Sequence, residues 1–201
     1  MAITNGYCTL AEIKASLAIS DSVDDTPLEA AVTAASRMID DYTNRFFYQD
    51  GSVQTPQSRY YTSIDNWRLS VDDFVSLTEV ATDENMGYNY DTIWAATDYL
   101  VDPVNNPRRG WPLTRLTAVD RYIFPRYLPQ SVKLTGIWGW SAVPAEVNMA
   151  CLLQAARLFV RRQSPFGIAG SPDLGTVRLF SKLDADVETL VRPLRRRFGS
   201  E

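Results

Sequence analysis

Apolar residues early in the chain recur with the period of a helix. Leu28, Ala31, Val32, Ala35, Ile39 and Tyr42 fall at three- and four-residue spacing, so one face of a helix is to be buried. Its start reads as Thr26 at the cap, Pro27 first and Glu29 third; proline is tolerated there because its missing N–H would have no partner. Asp40 and Asp41 are expected to end the helix on an exposed side, with Asn44-Arg45-Phe46-Phe47 leading out. Ahead of it, Thr9-Leu10-Ala11-Glu12 reads as a capping box, predicting a short helix to about Ala18.

From about Gln54 to Trp140 the period changes. Strands are predicted at Arg59–Thr62, Leu77–Val80, Tyr99–Val101, Arg115–Val119 and Val132–Trp138, β-branched or aromatic runs separated by Pro, Gly, Asn and Asp. In the last of these, Val132, Leu134 and Gly136 should face one side and Lys133, Thr135 and Ile137 the other. The stretch from Asp102 to Pro112 reads as a long turn. Tyr60, Tyr61, Trp138 and Trp140 are expected to fill the core of this segment.

Helix returns after Pro144. Val147, Cys151, Leu152, Ala155, Leu158 and Phe159 form a stripe that Met149, Leu153, Ala156 and Val160 widen. A helix apolar nearly all round is either central to a core or shared with a neighbour. The stripe from Val147 to Leu158 is expected to pack on Leu28, Val32, Ala35 and Ile39. Ser164 to Gly175 then breaks the pattern, and a last helix is predicted from about Asp184 to Val191, with Val187, Leu190 and Val191 on one side. So short a helix is marginal alone and must dock on something. Pro193 stops it, and Arg195-Arg196-Arg197-Phe198 follow. The fold class expected is α+β: a mainly helical bundle of two N-terminal helices, a long central helix and a C-terminal helix, with a β-rich insert at about 54–140 in a single domain, 1–201.

Composition narrows the chemistry. The 201 residues include no histidine and two cysteines, Cys8 and Cys151. That removes Ser-His-Asp and Cys-His catalysis and the usual zinc sites; the cysteines are read as two free, buried thiols. Neither a membrane span nor a signal peptide is visible. The net charge of −4 and pI of about 4.9 disfavour a DNA-binding regulator, and no cofactor motif appears. Residues 1–56 carry eight acidic and three basic side chains, whereas residues 132–201 carry six and ten. Such an asymmetry fits either ordinary surface distribution or subunits meeting head to tail around a ring.

The loop bearing Pro165, Phe166, Gly167, Gly170, Pro172 and Gly175 lacks phosphate-loop spacing; it reads as a surface loop or as one that orders against another chain. The arginines Arg195 to Arg197 suit a solvated tail, a protein-docking site or, less well, nucleic acid. Asp72-Asp73 and Asp184/Asp186 are poor acid–base pairs, because neighbours on a strand point to opposite faces and a helix start attracts carboxylates.

The order of these elements, with Ile39-Asp40-Asp41-Tyr42-Thr43-Asn44-Arg45-Phe46, Trp138-Gly139-Trp140, Val143-Pro144-Ala145-Glu146-Val147 and Arg161-Arg162-Gln163-Ser164-Pro165-Phe166-Gly167, resembles the head–tail connector (adaptor) proteins of long-tailed bacteriophages. The resemblance implies a non-enzymatic virion protein in a ring of about twelve copies at the head–tail junction, assembled in the bacterial cytoplasm. Its partners would be the portal protein, a stopper or tail-completion protein and copies of itself around the DNA exit channel, with no membrane and no cofactor. It also implies that a C-terminal segment, about 179–201, reaches the portal; here Val187, Leu190, Val191, Arg192, Arg195, Arg196, Arg197 and Phe198 would serve. The alternative is a small α+β ligand-binding or enzymatic domain.

Overall fold

The computed structural model describes residues 2–162, 168–169, 177–178 and 183–196. The chain divides into two compact units, one formed by Met1–Phe47 with Val143–Glu201 and the other by Tyr48–Ala142.

The first unit is helical. Helix α1 is Leu10–Ser16 and α2 is Asp25–Thr43; α3 is Ala145–Arg161 and α4 is Ala185–Val191. The capping box forms in full. The backbone N–H of Thr9 donates to Glu12 at 2.6 Å and that of Glu12 to Thr9 Oγ1 at 3.2 Å. Helix α2 starts before the position expected, with Asp24 at the cap, so Thr26 makes no cap and Pro27 lies inside the first turn. There its missing N–H still costs nothing. At the far end Asn44 turns left-handed, φ 52°, and Asp40 is buried instead of exposed.

Helix α2 packs on α3, and α3 on α4. Leu28, Val32, Ala35 and Ile39 of α2 and Val147, Cys151 and Ala155 of α3 are buried, while Leu158 is only half-buried. Helix α4 is capped by Asp184, whose carboxylate accepts the Asp186 N–H at 3.0 Å.

The second unit overturns the expectation of a mainly helical bundle. It is a seven-stranded antiparallel sheet: β1 (Gln49–Asp50), β2 (Gln57–Tyr61), β3 (Arg68–Thr82), β4 (Thr92–Trp94), β5 (Tyr99–Asp102), β6 (Leu113–Ala118) and β7 (Val132–Gly139). Strand β3 organises it. On one side β3 pairs with β7; on the other its first half pairs with β6 and its last three residues with β4. Strands β1 and β2 both pair with β7, and β5 pairs with β6. A two-residue pair, β8 (Ile168–Ala169) with β9 (Val177–Arg178), stands apart from this sheet.

The sequence hides β3 because its alternation is interrupted. Register shifts fall between Ser70 and Phe74, between Phe74 and Ser76 and between Leu77 and Glu79, and a one-residue slip moves the apolar positions to the other phase. Asp72-Asp73 sits inside this strand. Gly136 lies opposite: a Cβ there would come within 2.2 Å of the Ser76 carbonyl oxygen, so close backbone approach requires glycine. Leu69, Phe74, Leu116, Leu134 and Trp138 form the sheet's core. Of the aromatics predicted to fill it, Trp138 and Trp140 are buried and Tyr61 packs against the core, but Tyr60 turns outward onto Tyr90, ring centres 5.5 Å apart.

Candidate assembly surfaces

Among the described residues, no three His, Cys, Asp or Glu side chains gather to hold a metal, and no helix is long and apolar enough to cross a membrane. A cavity of about 620 Å³ lies on the sheet, lined by Phe74, Leu77, Tyr99, Leu100, Val101 and Leu113 among others, with Ser76, Asp102 and the Tyr99 hydroxyl as its polar groups. Such a lining offers shape to an apolar guest and no acid–base pair. The acidic pairs Asp72-Asp73 and Asp184/Asp186 have structural partners. Asp72 accepts from Arg59 at 2.8 Å and from the Tyr61 hydroxyl at 3.0 Å, while Asp73 accepts from the Trp140 indole at 3.0 Å.

The C-terminal segment lies on its own unit as far as Arg196. Val187 and Val191 are fully buried and Leu194 nearly so; Leu190 is half-buried. The Arg196 N–H donates to the Thr43 carbonyl at 2.8 Å, the Arg195 guanidinium lies 5.5 Å from the Tyr42 ring centre, and the Tyr42 hydroxyl donates to Glu188 at 2.8 Å. Arg157 pairs with Asp184. Val187 and Val191 therefore hold the segment to its own chain, and what it turns outward is Arg192, Pro193 and Arg195. Arg197 and Phe198 lie outside the described residues, as do the loop positions Pro165, Phe166, Gly167, Gly170, Pro172 and Gly175.

A second surface is the wide apolar side of α3, which the sequence offers either to a core or to a neighbour. Met149, Leu153 and Val160 of α3 are 50%, 43% and 56% exposed. With half-buried Ala156 they lie at spacings of four, three and four, one stripe along the helix. The opposite face of α3 is spent on α2. The polar residue buried on it, Gln154, uses its side-chain oxygen to accept the Asp184 N–H at 3.3 Å. The acidic front and basic back also meet within the chain: Arg162 pairs with Asp24 at 2.9 Å. Part of the charge asymmetry is thus used internally, in an exposed pair worth about 0–1 kcal/mol.

The chain matches the family model described as Phage gp6-like head-tail connector protein over residues 7–68. It is also similar to a chain in the neck of an empty GTA particle computed with C6 symmetry: 18% identity, 99% of this chain and 95% of that one covered, TM-score 0.59. A chain in the neck of the native GTA particle, computed with C12 symmetry, is similar at 19% identity, the same coverage and a TM-score of 0.57. The chain resembles phage head–tail connectors. No curated protein matches it.

The connector match begins at Tyr7 and takes in α1, α2 and the start of the sheet. It stops short of the Trp138-Gly139-Trp140 and Arg161–Gly167 segments that suggested the resemblance. The likeness to the neck chains, by contrast, runs over nearly the whole length, so both units share a fold with them.

Proposed function

We propose that the protein is a head–tail adaptor: a structural ring subunit at the neck of a phage-like particle, between portal and stopper, around the DNA channel. One observation carries this reading, the full-length likeness in fold to neck chains of symmetric particles, joined to a connector-family match over residues 7–68. The surfaces suit interlocking better than turnover. The α3 stripe of Met149, Leu153 and Val160 offers a copy-to-copy contact, since a row of exposed apolar side chains on a helix is what a neighbour covers. Arg192, Arg195, Arg196 and Arg197 supply forked donors for carboxylates on the portal, and the Pro165–Gly175 loop is a second candidate contact. On this reading the chain has no catalytic role; it is made in the bacterial cytoplasm and works in the virion.

The test mixes the purified chain with the portal of its own particle and images the product by negative stain. Rings seated on portals are expected. Replacing Arg195, Arg196 and Arg197 by Glu should abolish seating, more severely at low salt, where unlike and like charges are least screened. Leu153→Glu should prevent ring closure yet shift a denaturant melt by less than about 0.5 kcal/mol, as for an exposed site. Portals that stay bare with the unaltered chain would overturn the adaptor reading.

A further inference from the structure

The two cysteines stand 143 residues apart in sequence, yet their sulfurs lie 3.3 Å apart in the helical unit. Cys151 is wholly buried and Cys8 is 4% exposed. The backbone beside Cys8 is held from three helices. The Tyr7 N–H donates to Ser36 Oγ of α2 at 3.1 Å, the Tyr7 carbonyl accepts from Asn148 of α3 at 2.9 Å, and Thr9 caps α1. Cys151 sits within α3, its sulfur 3.4 Å from Ser36 Oγ. The Ser36 hydroxyl donates to the Val32 carbonyl at 2.8 Å, which leaves Ser36 an acceptor towards the thiol.

We propose that Cys8 and Cys151 are a redox pair, which a peroxide converts into a disulfide tying the segment ahead of α1 to α3. A disulfide bond is about 2.05 Å long, so the sulfurs need only close by about 1.2 Å, between backbones already fixed on both sides. Two thiols with no third ligand gathered among the described residues make a poor metal cage. The hydrogen bond to Cys151, and then burial, push the Cys8 thiol up, and the same bond pushes Cys151 down. The sulfur that ionises attacks the peroxide. The O–O bond breaks, that sulfur becomes a sulfenic acid and one water forms; the other thiol then displaces the hydroxyl as a second water and the S–S bond closes. The two thiols lose two electrons and two protons, and peroxide takes them up.

This inference stands apart from the adaptor reading, which only adds a setting: a particle outside its host meets an oxidising medium. The test treats the full-length native chain with hydrogen peroxide, unfolds it with iodoacetamide present and maps its peptides. A Cys8–Cys151 cross-linked peptide, two hydrogens lighter than the pair and released by dithiothreitol, is expected. The thermal midpoint should rise by about 5 °C or more, and in Cys8→Ser oxidation should leave it unmoved. Alkylation of both cysteines after peroxide, their over-oxidation to sulfinic acid, or cross-links only between chains would each overturn the proposal. The peptide map on the unaltered chain decides this even if the variant folds poorly.

Discussion

The helical unit and the sheet unit bury polar atoms in different ways. In the sheet unit, three buried indole N–H groups each meet a fixed acceptor: Trp94 donates to Thr82 at 3.1 Å, Trp138 to the Gln57 carbonyl at 2.8 Å and Trp140 to Asp73. The sheet unit also buries Asp73 and Asp83, the latter accepting the Asn85 and Asn89 N–H groups at 2.8 and 2.9 Å, whereas the helical unit gathers several ionisable groups around one carboxyl. The Tyr7 hydroxyl donates to Asp40 and accepts the Phe47 N–H at 2.9 Å, Arg37 pairs with Asp40 at 3.0 Å, and the thiol pair lies alongside. A buried indole contributes through packing that pH does not touch, whereas a buried carboxyl makes stability depend on its proton. The sheet should therefore lose most from truncation, and Asp40, raised by its burial, should make the helical unit lose stability as pH rises.

The largest effect is expected in the sheet. Trp138 is fully buried, packs on Phe74 and Tyr61, and lies under the Arg59 guanidinium, 4.6 Å from its ring. Trp138→Ala should cost about 3–5 kcal/mol in a denaturant melt, by nearly the same amount at pH 5 and pH 7. A loss below about 1 kcal/mol would remove the sheet core as the main source of that unit's stability.

Next comes Asp40. Burial pushes its carboxyl up to about 6, against the opposing pull of Tyr7 and Arg37. A carboxyl whose folded value exceeds its unfolded one holds its proton more tightly when folded. Its contribution is full below about pH 4 and is lost as pH rises to about 6, with a span of about 3 kcal/mol. Asp40→Asn keeps an acceptor for Tyr7 without the titration. Between pH 4 and pH 6 the unaltered chain should lose stability relative to this variant, read from melts at stepped pH. Parallel pH curves for the two proteins would break the contrast between the units.

The smallest effect concerns the capping box. Thr9→Ala should cost about 1 kcal/mol, measured in the same melts, and should leave the sheet's transition unmoved. A loss of several kcal/mol would mean that Thr9 matters through the Cys8 segment it anchors and not through α1 alone.

Local signals in the sequence account for the helices. The Thr9–Glu12 box, the stripe along α2, Pro144 ahead of α3 and Asp184 at the cap of α4 are all decided within one or two turns of chain, where caps and periodicity act. The sheet escaped in proportion to its non-local content. Strand β7, with Val132 and Leu134 alternating, is legible; β1 and β4, two and three residues long, have no pattern to show. Strand β3 disguises itself with bulges and an Asp-Asp step whose two carboxylates serve partners as distant as Arg59 and Trp140.

The surfaces divide the same way. The apolar excess of α3 is plain in the sequence, because composition along a helix fixes how much apolar area there is to cover. Which part stays open was settled by packing: α2 and α4 take one side, leaving Met149, Leu153 and Val160. The apolar strip of α4 likewise announces that it must dock, and only the tertiary structure places Val187 and Val191 inside their own unit. Periodicity, capping and the missing histidine belong to the sequence because they depend on neighbours in the chain. The meeting of Cys8 with Cys151, 143 positions apart, the burial of Asp40 and the register of β3 depend on residues far along the chain or on the shape of a whole core, and those are chosen only when the chain closes on itself.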